Sequence, residues 1–120
     1  MNYKKDQIIN KPWGSEELIE INDNYMMKKL TMLKGHKCSL QYHNQKCETI
    51  YVLSGDLRIY IGKDLKSEKN LSSKIYKSGE TITLTPGIVH RMEAVSDSVY
   101  LEASTPEMDD VVRLVDDYDR

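Results

Sequence analysis

Apolar and polar residues alternate with a period of two in several short stretches of the chain. The alternation covers residues 38–43, 57–61, 82–85 and 99–103. Because successive side chains of a strand point to opposite faces of a sheet, this pattern predicts half-buried antiparallel strands. Turn residues separate the strands, and the Ser-Gly-Asp sequence at 54–56 is typical of a hairpin turn. About eight such strands without a long helix predict an all-β fold, a small sandwich or barrel.

Two segments depart from the alternation. Residues 63–74 are rich in lysine and serine, and we expect an exposed loop or the end of a wide hairpin there. Residues 109–115 have a weak helical rhythm in their apolar positions, and the same residues are equally compatible with a last strand.

Length and charge limit the kind of protein. With 120 residues we expect a single domain over 1–120, in which 1–16 form an N-terminal arm and 106–120 an acidic C-terminal segment. The net charge of −2 argues against a nucleic-acid partner. No apolar run approaches the roughly 18 residues of a membrane span, and the first residues lack an apolar leader stretch. We therefore expect no membrane partner, a cytoplasmic location and free thiols at Cys38 and Cys47.

Four polar residues have the spacing and chemistry of a metal site. Gln41 and His43 lie two apart on a predicted strand, so their side chains leave the same face. Glu48 opens the next strand, and His90 follows the turn at 85–87. An amide oxygen, two imidazoles and a carboxylate suit one divalent ion, with Zn expected first and Mn, Fe, Co or Ni as alternatives. From spacing alone, ordinary polar core or surface roles remain the alternative for each residue.

The glycines and ligand candidates together form two longer motifs. The first motif consists of Gly35, Gln41, Tyr42, His43, Glu48 and Gly55, and the second of Gly79, Thr85, Pro86, Gly87 and His90. In this frame the chain resembles the cupin family, with three departures: Gln41 replaces a His, Thr85 a Pro and Ala94 an Asn. The resemblance implies a cupin jelly-roll barrel of antiparallel strands, with Gln41, His43, Glu48 and His90 at the positions of the metal ligands.

A narrower resemblance covers roughly residues 11–120. The Gln-x-His pair, the Lys-Pro-Trp-Gly segment at 11–14 and the Asp-Tyr-x-Arg ending are similar to the cupin domain of type II mannose-6-phosphate isomerases. Asp119 stands where that family has Gly. The resemblance implies an aldose–ketose isomerase that interconverts mannose 6-phosphate and fructose 6-phosphate through an enediol, with a sugar phosphate as its small-molecule partner.

The sequence leaves several alternatives for the catalytic group and for the residues that bind the substrate. The candidates for the catalytic group are Lys28, Lys29, Tyr60, Glu93, His36 and a metal-bound water. Of these we favour Lys28, Lys29 and Tyr60. Arg113 and Arg120 are expected to bind the phosphate, with surface pairs to nearby aspartates as the alternative. Trp13 is a candidate lid on the sugar, with a barrel plug or a dimer contact as alternatives.

We therefore expect an enzyme, a metal-dependent sugar-phosphate isomerase. The alternatives are a non-catalytic or regulatory metal-binding cupin that binds a sugar or a small acid, and a cupin epimerase or oxygenase. Because small barrels often cover their strand edges by pairing, we also expect a homodimer, with Ile8, Ile9 and Trp13 as the candidate contact.

Overall fold

The computed structural model describes residues 7–62 and 71–117, and within these ranges it contains eleven strands. The strands are β1 (Gln7–Lys11), β2 (Gly14–Ile21), β3 (Met26–Met32), β4 (Leu40–Tyr42), β5 (Glu48–Ser54), β6 (Leu57–Gly62), β7 (Ser72–Tyr76), β8 (Thr81–Leu84), β9 (Val89–Ala94), β10 (Ser98–Ser104) and β11 (Val112–Val115). The described residues form no helix, so no helix among them could cross a membrane.

The strands form two antiparallel sheets. One has the order β1-β2-β3-β10-β5-β8 and the other the order β11-β4-β9-β6-β7. Several neighbours in each sheet are distant in sequence, as where β10 lies between β3 and β5 and β9 between β4 and β6. This arrangement is the all-β jelly roll that the sequence predicts.

The two sheets enclose an apolar core made of residues at alternate strand positions. Ile50 and Val52 of β5 and Leu57 and Ile59 of β6 are almost completely buried, while Tyr51 between the first pair is 42% exposed. Tyr100 of β10 packs in the same cluster. The period of two along β5 and β6 is thus set by burial on one face of each strand.

The structure corrects one predicted loop. Ser72–Tyr76 is strand β7, which pairs antiparallel with β6, so residues 72–74 are not loop and agree instead with the hairpin alternative predicted for 63–74. Residues 63–70 lie outside the described residues. β7 is an edge strand whose first residues are exposed on both faces, so its sequence needs no apolar alternation. At the C-terminal end, Val112–Val115 is strand β11, which confirms the strand alternative against the helical rhythm.

The predicted N-terminal arm enters the larger sheet. Residues 7–11 form β1 and residues 14–16 begin β2, with Trp13 in the turn between them at 4% exposure. Gly14 is required at this turn, because its φ is +151° and a Cβ atom there would lie 2.0 Å from the Thr31 carbonyl oxygen. Trp13 is therefore held against the core by a close approach of two backbones.

Candidate metal centre

Three of the four predicted ligands meet in the interior. Glu48 Oε1 lies 3.4 Å from His43 Nε2 and 3.1 Å from His90 Nε2. One candidate ligand atom from each residue lies within 4.8 Å of the others, and all three residues are buried. The loop after β4, the start of β5 and the start of β9 supply them.

The other nitrogen of each imidazole is already used. Nδ1 of His43 contacts the carbonyl oxygen of Asp110, and Nδ1 of His90 lies 3.0 Å from the carbonyl oxygen of Ile88. Because a carbonyl oxygen can only accept a hydrogen bond, Nδ1 must carry the proton in each ring. In the neutral rings, Nε2 then carries the lone pair. A hydrogen bond from Nδ1–H to an acceptor fixes the tautomer and the ring orientation of metal-binding histidines in the same way.

The facing Nε2 atoms of the two histidines have no protein donor. Among the described residues, His43 Nε2 and His90 Nε2 form no hydrogen bond although they are buried, and Glu48 Oε2 has the ammonium of Lys46 beside it at 3.3 Å. Buried acceptors that face one another are unfavourable unless a positive charge lies between or beside them. A divalent cation would satisfy all of them, so the donor set fits the metal that the sequence predicts.

The pKa values of His43 and Glu48 also indicate that positive charge stabilises this cluster. Burial alone would lower the pKa of His43, but the nearby Glu48 carboxylate outweighs it and the pKa is raised. Burial alone would raise the pKa of Glu48, but His43, His90 and Lys46 together hold it well below its usual range. Without a metal, a proton on His43 places positive charge beside the carboxylate.

Gln41 is placed to complete the set. It pairs in register with His90 across β4 and β9 and lines the same cavity as His43 and Glu48. Its Nε2 donates to Cys38 Sγ at 3.9 Å, a long contact that uses the amide nitrogen. The amide oxygen is then the atom that remains for a cation. Its role as a ligand stays a prediction.

A cavity of about 500 Å³ opens beside these residues between the two sheets. Two buried lysines line it, both paired with carboxylates. Lys28 Nζ lies 3.1 Å from Glu16 Oε1, and Lys46 Nζ lies 2.9 Å from Glu102 Oε2 and 3.3 Å from Glu48 Oε2. The interior of the cavity therefore carries charges of both signs in contact with each other.

Lys46 and Glu102 respond to burial in different ways. Burial opposes the charge of Lys46, but Glu102 and Glu48 outweigh it and raise its pKa. Burial raises the pKa of Glu102, and the negative charge of Glu48 raises it further, while Lys46 and Lys28 act in the opposite direction. Lys46 thus stays protonated and lies between the two carboxylates.

Three predicted site residues outside the metal set line the cavity: Lys28, Trp13 and Arg113. The indole N–H of Trp13 is buried and has no hydrogen-bond partner among the described residues. Arg113 is exposed, and it belongs to β11, next to β4. Arg120 lies outside the described residues.

The structure does not bring two of the predicted catalytic residues to the cavity. Lys29 follows Lys28 on β3 and is exposed on the opposite face, because neighbouring residues of a strand point in opposite directions. Tyr60 lies on the outer side of β6, where its hydroxyl donates to Glu93 at 2.6 Å. Neither Tyr60 nor Glu93 lines the cavity, and His36 does not line it either. The assignments of Lys29 and Tyr60 are corrected accordingly.

Sequence reasoning missed Lys46, Glu16, Glu102 and Asp110, all of which line the cavity. The signal for Lys46 was its position between His43 and Glu48. For Glu102, the apolar alternation along β10 predicted the wrong face of the strand as the buried one. Tyr100 and Glu102 form the buried face of β10, whereas the apolar residues Val99 and Leu101 are on the half-exposed face.

A two-sheet antiparallel barrel that holds two histidines and a carboxylate in its interior defines the class of protein as a cupin. Residues 1–116 match the family described as "Mannose-6-phosphate isomerase C-terminal". The chain belongs to this family, as the Gln-x-His resemblance predicted.

The chain is also similar to a part of several longer bacterial proteins. The chain is 29% identical to Mannose-1-phosphate guanylyltransferase of Escherichia coli K12, over 93% of this chain and 23% of that protein. It thus spans about a quarter of the length of the curated relatives it matches. A relationship to enzymes of sugar phosphates and sugar nucleotides follows from this comparison.

Solved structures show the same fold. The capsular polysaccharide assembling protein CapF from Staphylococcus aureus superposes with a TM-score of 0.78 at 18% identity, over 91% of this chain and 34% of that one. An RmlC-like cupin from Shewanella frigidimarina superposes with a TM-score of 0.71 at 14% identity, over 87% and 86% of the two chains. Both confirm the cupin jelly roll.

Proposed function

We propose that this cupin binds one divalent metal ion through Gln41, His43, Glu48 and His90 and isomerises a sugar phosphate of the mannose 6-phosphate type. The observation that carries the proposal is the pairing of the metal cluster with free cations at the same cavity. Lys11 and Arg113 line it, and within residues 7–62 and 71–117 neither forms an ion pair with a carboxylate. A phosphate is the dianion that such cations recognise.

In an aldose–ketose interconversion, the metal, the cations and Trp13 would have separate roles. The metal, when bound, supplies a Lewis acid that polarises oxygens on neighbouring carbons of the sugar. Arg113 and Lys11 bind the phosphate and so fix the reacting carbons relative to the ligands. Trp13, buried in the turn between β1 and β2, lines the cavity and would exclude water from that side of a bound sugar.

Proton transfer is assigned to the Lys28–Glu16 pair. Of the catalytic candidates named from the sequence, only Lys28 lines the cavity. Its ammonium donates a hydrogen bond to Glu16 at 3.1 Å, and both residues are buried. The base that takes a proton from one sugar carbon can return it to the neighbouring carbon, and the Glu16 carboxylate can fill this role, while the Lys28 ammonium can pass protons to and from the sugar oxygens.

Deuterium exchange tests this function. The metal-loaded protein is incubated with hexose and heptose phosphates in D₂O, and proton NMR is used to follow the C1 and C2 positions. We expect solvent deuterium at one of these carbons and its loss in Lys28→Met. The matched control is Lys29→Met, on the exposed face of the same strand, which should exchange normally. Absence of exchange with every sugar phosphate would exclude the isomerase.

A second candidate is a binding module that holds a sugar or a small acid without turnover. The observation that favours it is the neutralisation of Lys28 and Lys46 by Glu16 and Glu102, which leaves no unpaired ammonium deep in the described part of the cavity. The same NMR experiment separates the two functions. A binding module gives ligand line broadening that depends on the metal but leaves the carbon-bound protons in place.

Three further properties belong to the proposal. Zn is the expected metal, and metal analysis of the purified protein distinguishes it from Mn, Fe, Co and Ni. A cytoplasmic location agrees with the reduced state of Cys38 and Cys47, neither of which is in a disulfide. A homodimer is expected as well, but Trp13 is buried and cannot be its contact, whereas Ile8 is 65% exposed. A monomer in sedimentation velocity at tens of micromolar protein would contradict the dimer.

A further inference from the structure

Asp110 binds the loop that carries the first histidine ligand from a distant part of the chain. Its carboxylate accepts hydrogen bonds from three consecutive backbone N–H groups, those of Asn44 at 3.0 Å, Gln45 at 2.6 Å and Lys46 at 2.9 Å. These residues lie between the ligands His43 and Glu48 in sequence. One side chain thus ties down the whole connection between two ligands.

The backbone of the same residue contacts the ligand itself. The Asp110 carbonyl oxygen accepts the Nδ1 proton of His43, as described above. If the carboxylate released the loop, this carbonyl would no longer be held against the imidazole. The other end of the loop is fixed separately, because Cys47 N donates to the Thr105 hydroxyl at 3.0 Å and Thr105 N donates to the Cys47 carbonyl at 3.0 Å.

We propose that Asp110 is the positioning residue of the metal centre: it holds the loop of residues 43–46 and, through its own carbonyl, turns His43 Nε2 toward Glu48. The inference rests on the metal site of the proposed function and is independent of the isomerase reaction. Asp110 touches neither the ion nor the sugar in this assignment, and it acts only through His43 and the loop.

The expected effect is on affinity for the metal. A hydrogen-bond partner that orients a metal-binding histidine contributes roughly tenfold to a hundredfold in metal affinity. Asp110→Asn keeps the size of the side chain but removes the charge, and its amide nitrogen cannot accept a hydrogen bond from the loop. Asp110→Glu keeps the charge and moves the carboxylate by one methylene, so it should restore part of the lost affinity.

Asp97 offers a matched control. Its carboxylate accepts a backbone N–H from Lys34 at 2.7 Å, also across a long sequence separation, and it does not line the cavity. Asp97→Asn therefore removes the same kind of interaction from a different turn. Any general effect of losing a carboxylate cap on the fold should appear in this variant as well.

The experiment measures metal binding by competition with a chelator and records the visible spectrum of the Co²⁺-loaded proteins, with circular dichroism of each metal-free variant to confirm folding. We expect Asp110→Asn to bind Zn²⁺ roughly tenfold to a hundredfold more weakly than the unchanged protein, with an altered Co²⁺ spectrum, and Asp97→Asn to match the unchanged protein.

Three results would overturn the inference in distinguishable ways. Unchanged affinity in folded Asp110→Asn refutes the positioning role and leaves the metal site intact. An equal loss in Asp97→Asn shows that the effect is a general one on the fold. Failure of the unchanged protein to bind any divalent ion refutes the metal centre of the proposed function, and the positioning role with it.

Discussion

Arg113 is the register partner of Gln41 across the antiparallel pair of β11 and β4. The predicted phosphate-binding residue and a predicted metal ligand therefore lie side by side on neighbouring strands of one sheet, and both line the same cavity. A ligand bound at the predicted metal ligands would therefore lie beside the strand that carries Arg113.

Replacing Arg113 should weaken substrate binding more than the chemical step. We expect Arg113→Ala to lower kcat/KM roughly tenfold to a hundredfold, mainly through KM, because one charge-assisted contact to phosphate is lost. Steady-state kinetics on mannose 6-phosphate measures the change. Arg58→Ala is the control, since Arg58 contacts Glu93 and Ser73 on the outside of the barrel. Equal kinetics in both variants would remove Arg113 from the site.

Removing a histidine ligand should abolish most metal binding. We expect His43→Ala and His90→Ala each to lose most of the bound ion, because each removes an imidazole nitrogen that faces Glu48. Metal analysis after dialysis measures the stoichiometry. His36→Ala is the control, as His36 lies outside the cluster. Full stoichiometry in either ligand variant would show that the ion is bound elsewhere.

The metal-free protein should be most stable in mildly acidic solution. The pKa of His43 is raised above 6.5, so its contribution is fully present below pH 6.5 and is lost as the pH rises through the raised value. The pKa of Glu48 lies well below 4.5, so its contribution is present above pH 4.5 and is lost as the pH falls through the lowered value.

Thermal unfolding with a chelator present, from pH 4 to pH 9, measures this dependence. We expect the midpoint of metal-free protein to fall above neutral pH and saturating Zn²⁺ to restore it there, because the metal replaces the proton between the ligands. In His43→Gln the alkaline loss should be smaller. A midpoint that rises steadily from pH 6 to pH 9 without metal would contradict the assignment.

A methyl group at Gly14 should disrupt the turn that holds Trp13. We expect Gly14→Ala to lower the free energy of unfolding by about 1–3 kcal/mol, because the new Cβ atom would clash with the Thr31 carbonyl oxygen. Denaturant unfolding followed by tryptophan fluorescence measures it. Gly79→Ala provides the comparison, since Gly79 also has a positive φ, of +87°, but a Cβ there meets nothing within 4 Å. A smaller loss at Gly14 than at Gly79 would refute the steric explanation.

The sequence predicted the strands where one face is buried and the other is not. β5 and β6 show this, because Ile50, Val52, Leu57 and Ile59 alternate with exposed or half-exposed residues. β7 was missed because an exposed edge strand needs only backbone pairing, which leaves no pattern in the side chains. The three candidate ligands that meet in the structure, His43, Glu48 and His90, were predictable because the spacing of the two motifs is set by the barrel frame.

The charged lining of the cavity was not predictable from local pattern. On β10 the buried face carries Tyr100 and Glu102, and the outward face carries Val99 and Leu101. Alternation specifies that two faces differ, but it does not specify which of them is inside when the interior is a polar cavity. Lys46 and Glu102, 56 residues apart, become neighbours only through the pairing of β5 with β10.

The hydrogen bond between His43 and Asp110 has a consequence for the order of events during synthesis. All four predicted ligands have left the ribosome once His90 has emerged, yet the carbonyl that fixes the first imidazole is contributed 67 residues after it. A nascent chain that has not yet reached residue 110 holds the ligands without the group that orients one of them. For the proposed metal centre, tight capture of the ion would therefore wait until residue 110 has been made and has reached His43.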